Sequence, residues 1–95
     1  MLAHINNATI IEGAQLRKLE RTTQSPPEPD AVLIESVTRG SAASLRGLRA
    51  GDIILAANRK PVHSEEDLIR IADETDRVLI LDILRDDGRI AILIQ

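Results

Sequence analysis

No Phe, Tyr or Trp occurs among these 95 residues, so any interior must be built from aliphatic side chains alone, and Ile, Leu and Val together number 29. A chain of this length makes one domain, and a domain this small buries only about 60–65% of its unfolded surface, so the core has to be dense. Branched residues can meet that demand, at roughly 1.5–3 kcal/mol for each Val, Leu or Ile fully buried. Missing aromatics also remove the platforms on which single-stranded nucleic acids stack. The formal charge of −3 and the scatter of twelve basic residues without a run argue against nucleic acid or an anionic membrane as the main partner. No cysteine is present, which excludes disulfides, thiolate metal sites and Cys nucleophiles and leaves the redox compartment open. The longest apolar runs fall far short of the roughly 18 residues that span a bilayer, and no charged start followed by an apolar segment opens the chain, so no membrane insertion is expected.

Short, β-branched runs bounded by turn residues dominate. Residues 31–38, 52–58, 77–85 and 89–95 read as strands, and the Asp86-Asp87-Gly88 turn joins the last two into a hairpin. Asn58 closes its strand because it tolerates the left-handed conformation. In the last strand Ile90, Ile92 and Ile94 share one face while Ala91 and Leu93 share the other, which predicts a central strand. Residues 14–20 are open to either a strand or a helical turn. Two helices are signalled: a short one between the N-cap Ser41 and Gly47, and one over 65–75. The second starts at Ser64 with an acidic first turn that suits the helix dipole. Residues 22–30 hold three prolines and read as a solvent loop, too short to separate one domain from another.

Elements of self-contained catalysis are missing. His4 and His63 stand far apart outside any metal-ligand spacing, no G-x-S-x-G elbow occurs, and the isolated glycines form neither a phosphate loop nor a dinucleotide fingerprint. No catalytic residue, metal or cofactor is therefore expected, and His63 reads as a surface residue ahead of a helix cap.

The stretch at 40–58, G-S-A-A-S-L-R-G-L-R-A-G-D-I-I-L-A-A-N, resembles the most recognisable segment of PDZ domains: a Ser-capped short helix, G-L, a G-D turn and an apolar strand ending in Asn. A Pro61-Val62 element, the Ser64 helix and the D-D-G hairpin then follow in the order of bacterial PDZ domains, and Ile11-Glu12-Gly13-Ala14 is similar to their peptide-binding loop. The pattern over 10–95 resembles most closely the second, C-terminal PDZ domain of HtrA/DegP/DegQ-type serine proteases.

That resemblance implies a mainly β fold with two short helices, a small β-sandwich or partly open barrel in the circularly permuted bacterial strand order, spanning 1–95 with 1–9 as a lead-in. It makes Ala14–Leu19 a strand, with a groove between it and the helix at 65–75. A peptide or unfolded-protein segment would add to this strand as a further strand. Backbone N–H groups of Glu12, Gly13 and Ala14 would form a nest for a terminal carboxylate. The expected contact residues are Ile11, Glu12, Gly13, Ala14, Gln15 and Leu16 with Glu65, Ile69 and Ala72, while Leu68 and Ile71 face the core. PDZ domains that select Ser or Thr near the peptide terminus carry His at the first helix position; Glu65 stands there, so that preference does not transfer. Glu12, in a loop position usually apolar, would oppose a carboxylate. By the same resemblance the chain is a non-catalytic module of a periplasmic protease serving protein quality control, with contacts to neighbouring protease subunits as the alternative role.

Overall fold

Among the described residues the chain runs β1 (Ala14–Leu19), β2 (Ala31–Val37), α1 (Ala42–Leu45), β3 (Ile53–Ala57), β4 (Lys60–Pro61), α2 (Glu65–Glu74), β5 (Leu79–Arg85) and β6 (Gly88–Ile94). The computed structural model describes residues 13–23, 25–74, 78–86 and 88–94. Expectations for the lead-in at 1–9, for Ile11 and Glu12, for the last helical residue Thr75, for Asp87 and for Gln95 lie outside them.

The strands form one antiparallel sheet in the order β1-β2-β3-β5-β6, with β4 paired to β3. β5 pairs with β3 from Ile53 to Ala57, so the other edge of β3 is shared: Ile53 and Ile54 meet β2, and Ala56 and Ala57 meet β4. The β2–β3 register contains two residue pairs, extended by backbone bonds from Ile34 N–H to the Asp52 carbonyl at 2.9 Å and from Gly51 N–H to the Ile34 carbonyl at 2.7 Å. Register shifts leave Glu35 and Leu55 as the extra residues of β2 and β3. Of residues 14–20, ambiguous by pattern, Ala14–Leu19 become a strand because pairing with β2 satisfies their backbone groups.

β6 is not central. Among the described residues it ends the sheet and pairs on one side only, with β5. Its second apolar face has a different explanation: Leu93, 54% exposed, lies opposite Ile80, 41% exposed, and the two cover each other across the hairpin.

Alternation puts Val32 and Ile34 of β2, Ile54 of β3 and Leu79, Leu81 and Ile83 of β5 on one buried face, where Leu68, Ile71 and Ala72 of α2 close the core. α1 is a single turn that survives through its ends. Ser41 Oγ accepts the Ser44 N–H at 3.2 Å. At the far end Gly47, at φ +94°, lets Leu48 N–H reach the Ala43 carbonyl at 3.1 Å and Gly47 N–H reach Ser44 at 3.0 Å. That pattern returns Leu48 to the core beside Ala43.

α2 is capped as expected, since Ser64 Oγ accepts the Asp67 N–H at 3.2 Å. The Asp67 carboxylate in turn accepts the His63 N–H at 3.0 Å, and this bond, aided by Arg70, holds its carboxyl below the usual carboxylate range. The proline-rich loop is gathered around Arg21, 7% exposed, whose Nε donates to the Pro29 carbonyl at 3.0 Å and whose backbone N–H donates to Asp30 Oδ1 at 3.1 Å. The latter bond lowers the Asp30 pKa, with Lys18 contributing.

Candidate functional site

β1 is the other end strand of the sheet, paired among the described residues with β2 alone. In an antiparallel ladder alternate residues turn N–H and C=O away from the partner, so β1 carries a row of backbone groups along its outer edge. α2 packs beside this strand as well as on β3. Strand edge and helix flank lie side by side.

The described contact residues divide between these two elements. Ala14 and Leu16 are half-buried and pack against the core, while Gln15 is exposed and its Oε1 accepts the Ser36 hydroxyl at 3.3 Å across the sheet. Arg17 pairs with Glu35 at 2.8 Å on the same outer face. On α2, Glu65 is exposed and Ile69 is 37% exposed, an uncovered aliphatic side chain on the helix flank. Ala72, expected beside them, is 1% exposed and belongs to the core, because it lies four residues after Leu68 and shares that residue's stripe.

Gly13, the first described residue, has φ +99°, and a Cβ placed on it would run into the side chain of Ser41. Its carbonyl accepts the Thr38 N–H at 2.8 Å. The start of β1 is thus seated on the residue that caps α1, and only glycine fits there.

One buried ionic contact was not anticipated from the residues. The Asp52 carboxylate, 1% exposed, accepts Arg85 Nε at 2.8 Å on Oδ1, Arg85 Nη2 at 2.6 Å on Oδ2, and the Arg49 backbone N–H at 2.9 Å. Arg85 Nη2 also donates to the Gly47 carbonyl at 2.9 Å, and the bonds to Asp52 raise the Arg85 pKa further. Ile53 pairs with Leu84, so residues 52 and 85 are the next cross-strand neighbours. Asn58 is a second such lock. At φ +50° beside Arg59 at φ +68°, it turns β3 into β4, and its Oδ1 accepts the Ile80 N–H at 2.8 Å.

Among the described residues no group of three or more His, Cys, Asp or Glu side chains is placed to hold a metal ion. No helix there is long and apolar enough to cross a membrane.

Comparison with known proteins agrees with this geometry. A family model described as PDZ domain matches residues 33–85. The periplasmic serine endoprotease DegP of Salmonella typhimurium is 32% identical over 93 residues, covering 98% of this chain and 19% of that protein. The periplasmic serine endoprotease DegP of Escherichia coli is 32% identical over 85 residues, covering 90% of this chain and 16% of its own length. The chain therefore spans about a fifth or less of these two relatives. Among solved structures, the HtrA3 PDZ domain bound to a phage-derived ligand, FGRWV, superposes with a TM-score of 0.67 at 23% identity, over 84% of this chain and 77% of that one.

Proposed function

Because the chain belongs to the PDZ domain family, we propose that it is the peptide-binding, non-catalytic module of an HtrA/Deg-type periplasmic serine endoprotease, recognising peptides or unfolded-protein segments for quality control. One observation carries this reading: β1 ends the sheet beside α2, with Leu16 and Ile69 supplying apolar surface on the two elements. A ligand strand adds to β1 through main-chain bonds, and its alternate side chains meet Leu16 and Ile69. The loop ahead of β1, with Gly13 and Ala14 at its end, receives a terminal carboxylate, which Glu12 weakens by charge.

Titration of the ¹⁵N-labelled chain with an apolar pentapeptide, as free acid and as amide, tests this. The expected result is weak binding of the free acid, in the high-micromolar to millimolar range, with shifts in β1 and in the first two turns of α2. Glu12→Gln strengthens it by about fivefold at low salt, which is roughly 1 kcal/mol, and leaves the amide unchanged. Equal binding of both forms means that the groove takes internal segments. No perturbation of β1 or α2 at millimolar peptide overturns the reading and leaves assembly with neighbouring protease subunits in its place.

A further inference from the structure

Between the end of α1 and the β5–β6 hairpin lies a concavity of about 460 Å³ that includes no residue of β1 or α2. Three arginines line it, Arg46, Arg49 and Arg85, with Ser44, Leu48 and Ile92, and no acidic side chain is among its lining residues. We infer that this concavity is a second binding site, for an acidic segment of a partner protein that carries an apolar side chain beside its carboxylates.

Arg85 is the anchor. Its Nε and Nη2 are committed to Asp52 and to the Gly47 carbonyl, which clamps the guanidinium and leaves Nη1 with no acceptor among the described residues. A fixed donor pair of this kind binds a carboxylate without first losing rotamer freedom. Arg46 and Arg49 are exposed and form no ion pair among the described residues, so both are available to close over the same anion. Asp86 lines the adjoining hollow with Arg49 and Arg85, and it is the acidic group that faces Arg85 besides Asp52.

The apolar half of the ligand follows from the floor and rim. Half-buried Ile92 packs on the core from the hairpin side, and Leu45, which lies between two lining residues at the end of α1, is 78% exposed. A carboxylate on Arg85 and an aliphatic side chain against Ile92 or Leu45 match a short acidic-apolar peptide. A polyanion such as nucleic acid or an anionic bilayer fits less well, since the domain carries a net charge of −3 and α2 opens with Glu65, Glu66 and Asp67.

The probe is acetyl-Glu-Leu-Asp-Leu-Glu-amide, blocked at both ends so that it has no terminal carboxylate, with acetyl-Gln-Leu-Asn-Leu-Gln-amide as control. In a ¹⁵N titration of the full chain the acidic peptide is expected to shift Ser44, Arg46, Leu48, Arg49 and Ile92, and the control to leave them in place. Arg46→Gln with Arg49→Gln weakens binding by about tenfold or more. Both side chains are exposed, so the melting midpoint should not move, and the single substitutions serve if the double variant fails to fold. Shifts confined to β1 and α2, equal binding of the control, no shift at millimolar peptide, or binding to anionic vesicles instead of the peptide would each overturn the assignment. Loss of the groove response alone leaves it standing, so the two sites fail separately.

Discussion

Arg85→Met isolates the contribution of the buried ion pair. The substitution keeps an unbranched side chain of similar reach but removes two of the three hydrogen bonds to a carboxylate that is 1% exposed, and it takes a donor from the Gly47 carbonyl. Asp52 is then left with the Arg49 N–H as its partner among the described residues. Breaking a buried pair in this way costs about 3–5 kcal/mol, against the 0–1 kcal/mol typical of an exposed pair. For a domain whose whole stability is about 5–15 kcal/mol the loss is severe. At roughly 4–8 °C per kcal/mol, the melting midpoint should fall by at least about 12 °C. Because the chain has no Trp or Tyr, the measurement has to be calorimetric or by far-ultraviolet circular dichroism rather than by intrinsic fluorescence. Adding Asp52→Leu to Arg85→Met should recover some of the loss, since no buried charge is then unpaired. A drop below about 1 kcal/mol for Arg85→Met, or a double variant less stable than that single one, refutes the reasoning.

Ser64→Ala should lower stability by about 1 kcal/mol through the lost N-cap bond to Asp67, read as a shift of roughly 4–8 °C in the thermal midpoint, and should weaken peptide binding because α2 forms a wall of the proposed groove. Gly13→Ala should cost more than about 1 kcal/mol in a urea titration, since it adds a clash with Ser41 to a positive φ. Asp30 and Asp67 both have carboxyl groups lowered from 3.8, so the folded state binds their protons less readily than the unfolded one. The stability they lend is complete above that value and is lost as the pH falls below it. Melting midpoints recorded from pH 6 to pH 2 should show a shallower acid decline for Asp67→Asn than for the wild type.

Helix ends were legible because capping acts within a few residues: Ser41, Gly47 and Ser64 do what their local chemistry implies. Asn58 was legible for the same reason as far as its turn, but not its bonds to Val78 and Ile80, about twenty residues on. Alternation located the strands, yet it measures apolarity rather than neighbours, so the doubly apolar β6 read as central when a cross-strand pair, Ile80 with Leu93, accounts for its second face. The Asp52–Arg85 contact joins residues 33 apart and exists only through the β3–β5 register, which no local pattern encodes. Helical spacing could not separate Ala72 from Ile69, because a stripe three residues wide leaves the boundary between core and flank to the packing of β1 and β3 against α2.

The two-pair ladder between β2 and β3 divides the sheet unevenly, since β1–β2 has six residue pairs and β3–β5 has four. A seam of that length is where amide protons are released first by sub-global opening. If β1 and β2 open together ahead of β3, β5 and β6, slow exchange against D₂O should resolve two tiers of amides, divided between β2 and β3. β1, to which ligand addition is proposed, would then sit in the less protected tier, and a peptide bound there should slow exchange in β2 as much as in β1.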